Sequence, residues 1–293
     1  MPTVYQQPDP QVHAPAFSVS AHACDCHAHI FGPEERYPTI PDARFANPKV
    51  GLADYRSVLR NLGIERAVLV QPHVYGADNR CLADALVQFE GRARGVGVIE
   101  TTVADAELER MHRAGFRGVR INLRNAGGLA LRELALVAAR VKPWGWHIEF
   151  APDPQHLPAI ARAVREIDVD VVIPHLGRVA ADAGVQSPEF QALLGLVREG
   201  RCWVKLSGAH RVSRLPYPHA DVAAFAAALI EAAGERMLWA SDWPHTSVPV
   251  DDYMPNDGDV LDLLAAWAPA EKLRQRILVD NPARLYGFDT AVV

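Results

Sequence analysis

Eight short apolar runs, each followed by a segment of helical periodicity, constrain this chain more than any other feature. The runs are Cys24–Ile30, Arg66–Gln71, Ala93–Ile99, Gly118–Leu123, Trp146–Phe150, Asp170–Pro174, Trp203–Ser207 and Met237–Ser241. They are rich in Val, Ile and Leu and do not alternate strictly, which fits parallel strands buried on both faces. Between them, apolar residues recur at helical spacing: Leu52, Tyr55, Leu59 and Leu62, then Phe190, Leu193, Leu194 and Val197, then Val260, Leu263, Leu264 and Trp267. Such stripes let a helix cover a sheet. Ser187-Pro188-Glu189 reads as an N-cap with proline at N1, and Gly115 and Gly200 fall where helices end. Strands alternating with helices predict a single-domain (β/α)8 TIM-like barrel over residues 23–293. An open, doubly wound sheet is the alternative, but no G-x-G-x-x-G follows a strand. Residues 1–22, with their prolines and glutamines, read as an extended N-terminal arm.

The length of 293 residues suits one such barrel, and 49% hydrophobic with 22% charged residues excludes a disordered or fibrous chain. A net charge of −5 offers no basic field for nucleic acid. The most apolar helix-like run, Val222 to Ile230, is far shorter than the about 20 residues of a membrane span, so no membrane partner is expected. The first residues lack the basic start and apolar stretch of a signal peptide. Four cysteines make no disulfide scaffold, and a cytoplasmic, reducing setting is the expectation. Nothing in the sequence fixes an oligomeric state.

Barrels of this kind carry their chemistry at the C-terminal ends of the strands, and here nearly every strand end is polar. The first ends in Asp25-Cys26-His27-Ala28-His29, the second in Gln71-Pro72-His73, and the fourth carries Arg120, Asn122 and Arg124. The fifth holds His147 and Glu149, the sixth ends in His175-Leu176-Gly177-Arg178, the seventh carries Lys205, and the eighth ends in Ser241-Asp242-Trp243-Pro244-His245. Two residues apart on a strand, His27 and His29 face the same way. Alone they fit a hydrogen-bonded pair as well as a site. With His175 and Asp242 they form a three-histidine, one-carboxylate set able to hold one zinc or manganese ion.

These segments together with Ile30-Phe31-Gly32-Pro33, Val74-Tyr75-Gly76 and the closing Asn281-Pro282-Ala283-Arg284-Leu285-Tyr286 resemble the amidohydrolase superfamily, and within it the lactonase branch. The resemblance runs from about Cys24 to Phe288. It implies a barrel with its site at His27, His29, His175 and Asp242, and hydrolysis of a small anionic lactone with Asp242 as general base and the three histidines polarising the carbonyl. It leaves two states open: one divalent metal on these four residues, or a metal-free site as in several members of the branch. The fourth strand lacks a lysine for a bridging carbamate, which argues against a binuclear centre. Arg120, Arg178 and Arg211 match positions that bind substrate carboxylates in dicarboxylate lactonases; a guanidinium fork suits such a group. Arg178 directly follows the His175 motif, and Arg211 is equally suited to a salt bridge.

The chain departs from the dicarboxylate lactonase pattern twice. Asn125-Ala126-Gly127-Gly128 stands where a second arginine is expected, and Glu149-Phe150-Ala151 where a tyrosine is expected. Both favour a smaller or singly charged lactone. His73 is expected to contact substrate, and Tyr75 to do so or to pack in its loop. Glu149 is expected to support a histidine, Lys205 to pair with an acid in the barrel, His147 to make a core hydrogen bond, His245 to stand behind the site, and His210 to lie on the surface. Cys24 and Cys26 read as core thiols, and Ser207 and Ser241 as strand residues with satisfied hydroxyls. Metal-dependent decarboxylation and lactone isomerisation are the alternative activities of the same superfamily.

Overall fold

The apolar runs become eight parallel strands: β1 (Cys24–Ala28), β2 (Arg66–Val70), β3 (Ala93–Gly97), β4 (Phe116–Asn122), β5 (His147–Ala151), β6 (Val171–Ile173), β7 (Cys202–Leu206) and β8 (Met237–Trp239). In the computed structural model, which describes residues 5–41, 43, 46–124, 130–246 and 248–289, they pair in chain order from β1 to β8. The helices are α1 (Leu52–Leu62), α2 (Arg80–Gln88), α3 (Asp105–Arg113), α4 (Leu134–Val141), α5 (Leu157–Val164), α6 (Pro188–Arg198), the short α7 (Ala209–Val212), α8 (Ala223–Ala233) and α9 (Asp257–Trp267). This is the (β/α)8 barrel that the alternation predicts. The stripes do what their spacing requires: Tyr55, Leu59 and Leu62 are buried on α1, Phe190, Leu193, Leu194 and Val197 on α6, and Leu263, Leu264 and Trp267 on α9.

Two apolar layers result. The larger core joins the outward strand residues, such as Leu69, Ile148 and Ile173, to the helices. A smaller cluster gathers Cys24, Cys26, Val68, Val70, Val96, Val172, Trp203 and Leu238 with Ala283, Tyr286 and Phe288 of the C-terminal segment. Cys24 and Cys26 are thus core thiols, and all four cysteines are buried and free. Gly115 and Gly200 follow their helices at φ +101° and +88°, where a side chain would be strained. Ser187 precedes α6 as expected, yet its hydroxyl makes no capping hydrogen bond. Among the described residues no helix is long and apolar enough to cross a membrane.

The ring closes beyond β8 rather than along it. Residue Ala28 bridges to Trp243, the His29 N–H donates to the Trp243 carbonyl at 2.8 Å, and the Asp242 N–H donates to the His27 carbonyl at 3.0 Å. β1 and β8 are therefore shorter than their apolar runs, because the chain leaves strand geometry to make this closure. Asp25 holds it. Its buried carboxylate accepts from the Ser241 N–H at 2.9 Å, the Ser241 hydroxyl at 2.5 Å, the His27 N–H at 3.1 Å and the Tyr55 hydroxyl at 2.9 Å. Burial pushes the Asp25 carboxyl up to about 6 even though these four donors pull it down. A register irregularity in β1 between Asp25 and Ala28 lets Asp25 face α1 while His27 turns inward.

The N-terminal arm lies on its own barrel. The Gln6 N–H donates to the Val248 carbonyl at 3.1 Å, His13 Nε2 is 3.0 Å from Asp259 Oδ1, and the Ala16 N–H donates to Asp262 Oδ1 at 2.7 Å.

Replacing Asp25 by Ala strands buried donors on three elements. We expect a loss of at least about 3 kcal/mol in urea unfolding. Asp25→Asn, which keeps a carbonyl acceptor, loses less. An Asp25→Ala protein within about 1 kcal/mol of the parent would contradict the closure role.

Candidate active site

The closure brings the ends of β1, β6 and β8 together. His27 and His29 come from β1, His175 from the turn after β6, and Asp242 from the segment after β8. The backbone at His175, Leu176, Arg178 and Asp242 is left-handed, with φ of 54°, 54°, 57° and 69°. Each such non-glycine residue costs on the order of 1 kcal/mol, and strain of this kind gathers at functional sites. Gly208 makes room for His175: a Cβ there would lie 3.1 Å from that of His175.

The four side chains converge. His27 Nε2 is 3.3 Å from His29 Nε2 and 3.8 Å from Asp242 Oδ1, and His175 Nε2 is 3.5 Å from Asp242 Oδ1. His29 Nδ1–H donates to the Val70 carbonyl at 2.7 Å, and His175 Nδ1 is 2.9 Å from the Ser207 hydroxyl. Beneath His27, Lys205 and Glu149 form a fully buried ion pair. His27 Nδ1 is 3.1 Å from Lys205 Nζ and 3.3 Å from Glu149 Oε1. Glu149 thus supports a histidine and Lys205 pairs with an acid in the barrel, as expected.

Electrostatics sort these groups. Burial alone would raise the Asp242 carboxyl, but the Arg211 guanidinium, foremost among its neighbours, holds it well below the usual carboxylate range. Arg211 Nε donates to Asp242 Oδ2 at 2.5 Å. Burial would likewise raise Glu149, and Lys205 and His27 hold it well below. His29 and His175 are pushed well below the usual imidazole value, chiefly by burial, and His27 is lowered by burial and Lys205. The site is a carboxylate among neutral imidazoles.

A cavity of about 330 Å³ opens over it. His29, His73, His175, Arg120, Arg178, Arg211 and Asp242 all line it, as do Asn122 and Arg124. His27 lies underneath and does not line it. Tyr75 does not reach it either: the ring is buried against Phe31, and its hydroxyl accepts from the Gly32 N–H at 3.1 Å. Of the two readings of Tyr75, the packed loop aromatic is the one the structure places. Tyr5, from the N-terminal arm, and Phe31 line the cavity without having been singled out from sequence. An arm far away in sequence gives no local signal of where it folds back.

The arginines divide into two kinds. Arg124 Nε pairs with Asp153 at 3.0 Å, and Arg211 with Asp242. Arg120 donates to the Gln71 carbonyl at 3.1 Å, and its Nε is buried with no partner. Arg178 makes no hydrogen bond or ion pair among the described residues. Burial, and then Arg124 and Arg211, pull its guanidinium down to about 10. Such a group lacks an anion. The segment Asn125-Ala126-Gly127-Gly128 lies outside the described residues.

Two histidines depart in detail from expectation, and a third meets it. His147 is buried, but among the described residues neither ring nitrogen reaches full hydrogen-bond geometry; it packs edge-on against Tyr286 at 5.2 Å, and burial lowers it to about 4. His210 is not on a surface loop: it sits half-buried on α7, its ring 5.4 Å from that of His245. His245 stands behind the site, with Nε2 3.1 Å from Asp257 Oδ1 and its N–H donating to the Asp242 carbonyl at 2.8 Å.

His27, His29 and Asp242 offer ligand atoms at the spacing that a four-coordinate ion with bonds of about 2.0–2.1 Å requires. Their surroundings oppose a cation. An ammonium lies 3.1 Å from the other nitrogen of His27, and a guanidinium 2.5 Å from the carboxylate. As these residues are bonded here, they do not fit a divalent metal.

Residues 24–288 match the amidohydrolase family. The chain belongs to that family. This amidohydrolase is 37% identical over 277 residues to a 4-sulfomuconolactone hydrolase of Rhizobium radiobacter, an alignment covering 93% of this chain and 92% of that one. It is 36% identical over 284 residues to a 2-pyrone-4,6-dicarboxylate hydrolase of Comamonas testosteroni, again covering 93% and 92%. Its fold matches the ligand-free crystal structure of an Agrobacterium tumefaciens protein with a TM-score of 0.86 at 30% identity, covering 94% of this chain and all of that one.

An unpaired guanidinium in this cavity should bind a small dianion at little structural cost. We expect Arg178→Gln to weaken malonate binding, measured by calorimetry, by about ten-fold or more. Tm should stay the same or rise. Unchanged binding, or a fall in Tm with no loss of affinity, would contradict this.

Proposed function

We propose that this amidohydrolase hydrolyses a small anionic lactone. The observation that carries the reading is a buried Asp242, bound by Arg211, sharing one cavity with an Arg178 guanidinium that has no hydrogen bond or ion pair among the described residues. The names of both hydrolase relatives denote small compounds with acidic substituents, which supports it.

Arg178, with Arg120, seats the carboxylate or sulfonate and turns the ring so that its carbonyl meets the imidazole cluster. Water held by Asp242 attacks the carbonyl carbon while Asp242 takes its proton. At the cavity wall, His175 of the histidine cluster offers an N–H dipole to the oxygen as it gains negative charge. Collapse breaks the ring C–O bond, and the departing oxygen takes the proton back from Asp242. The products are a carboxylic acid, which ionises by releasing a proton to solvent, and a free hydroxyl or its keto tautomer. Arg211 acts on the base rather than the substrate: it holds Asp242 ionised. No step needs a metal, in keeping with the cations packed against the cluster. The cavity volume and two arginines that have no carboxylate partner among the described residues suit a small lactone with one or two anionic groups.

The test is proton release near neutral pH from a set of carboxylated lactones, namely pyrone dicarboxylate, muconolactones and aldonolactones. Turnover of one of them is expected, and Asp242→Asn should lower kcat by about 10²- to 10⁴-fold while ligand binding survives. Release of CO2 or an isomeric lactone in place of acid would replace this reading with decarboxylation or isomerisation. The pH profile has a definite sign. A depressed Asp242 stays a base as pH falls, so kcat/KM keeps its plateau through the usual carboxylate range near about 4. Without the guanidinium, burial raises the carboxyl, so Arg211→Gln should move the acid limb to higher pH. An unmoved limb would contradict Arg211's role.

A further inference from the structure

The atoms behind the three histidines differ in what they can give. The Val70 carbonyl behind His29 only accepts, so neutral His29 carries its proton on Nδ1 and turns a lone pair, at Nε2, toward the cluster. Behind His27 stands Lys205 Nζ at 3.1 Å, and an ammonium only donates. Glu149 Oε1, the competing acceptor, stands farther from the same nitrogen, at 3.3 Å. Behind His175, the Ser207 hydroxyl at 2.9 Å has no other acceptor among the described residues. On the far side, both Nε2 atoms face Asp242 Oδ1, at 3.8 and 3.5 Å, and a carboxylate only accepts.

From this we propose that β7 sets the tautomers of the site: Lys205 and Ser207 donate to Nδ1 of His27 and His175, so that both present Nε2–H to the Asp242 carboxylate, while His29 presents a lone pair. Lys205 and Ser207 are two residues apart at the end of one strand, so their side chains turn to the same side. One strand thereby orients two histidines from two other elements. The assignment sets each histidine nitrogen against a group of opposite kind. The Lys205 ammonium donates to Glu149 and His27, the His27 proton points at His29 Nε2 and Asp242, and the His175 proton points at Asp242. The three histidines are then not equivalent. His175 lines the cavity and can donate to a lactone carbonyl. His27 lies beneath and aligns the other groups. His29 accepts. The same arrangement opposes a metal, because a nitrogen that bears a proton offers no lone pair. Lys205 and Ser207 are positioning residues. Their kinetic consequence rests on the hydrolase reading; the tautomers themselves do not.

The test is a long-range proton–nitrogen correlation spectrum of the full chain labelled with ¹⁵N-histidine, which distinguishes Nδ1–H from Nε2–H imidazoles. The expected result is Nε2–H at His27 and His175 and Nδ1–H at His29. An Nδ1–H signal from His27 or His175 overturns the proposal. In Lys205→Met the His27 proton should move to Nδ1, where Glu149 Oε1 can take it. Zinc affinity by equilibrium dialysis should then rise about ten-fold or more, and unchanged zinc affinity with an unchanged tautomer overturns Lys205's part. Where that variant does not fold, the parent spectrum decides. Ser207→Ala should lower kcat by about ten-fold or more with little change in KM, and Ser207→Thr, which keeps the hydroxyl, should restore it. Equal losses in both overturn Ser207's part. Expected tautomers in a protein that opens no lactone defeat the hydrolase reading alone. Lactone turnover with His27 on Nδ1–H defeats this inference alone.

Discussion

A carboxylate removed from water stays ionised only where cations and N–H donors replace its hydration. Asp242 meets that condition through Arg211 on Oδ2 and the Nε2 atoms of His27 and His175 facing Oδ1. Those partners come from β1, from the turn after β6 and from α7, so the condition holds only in a closed barrel. Closure in turn depends on a second buried carboxylate, Asp25, which ties Ser241 to β1 and α1. One acid fixes the frame and the other occupies the position the frame creates.

The charges form a graded column along the barrel. At its base, Lys205 and Glu149 neutralise each other. Above them, His27, His29 and His175 are kept neutral chiefly by burial. At the mouth, Arg120 and Arg178 have no carboxylate partner among the described residues. The protein stores unfavourable energy at that rim, in Arg178 above all, and in the left-handed backbone at His175, Arg178 and Asp242. Strain and unpaired charge at one place are what a binding site costs a fold that is otherwise locally consistent.

The barrel was legible because each strand and helix carries its own period. The site was legible in outline because barrel chemistry gathers at strand ends, and His27, His29, His175 and Asp242 do meet. What the sequence hid lies in contacts across the barrel. Asp25 stands in the same Asp-Cys-His-Ala-His segment as the histidines, yet a register irregularity in β1 sends it outward to close the ring. Lys205 reads as the partner of an acid, but its second contact, on His27, depends on how β7 and β1 face each other across the barrel. Tyr5 reaches the cavity from an arm that carries no periodic signal. Tyr75 and His210 show the converse: local sequence left Tyr75 open between the site and its loop and set His210 on the surface, whereas packing seats Tyr75 against Phe31 and tucks His210 against His245.

The proposed catalysis by a buried aspartate beside an anion seat makes a geometric demand that a single structure can meet or fail. The most direct measurement is a crystal structure of the Asp242→Asn protein with a carboxylated lactone bound. The account predicts the anionic group on the Arg178 guanidinium, the carbonyl oxygen within hydrogen-bond reach of His175 Nε2, and the carbonyl carbon about 3–3.5 Å from a water held by residue 242. A lactone bound with its anionic group away from Arg178, or with its carbonyl turned from residue 242, would contradict it.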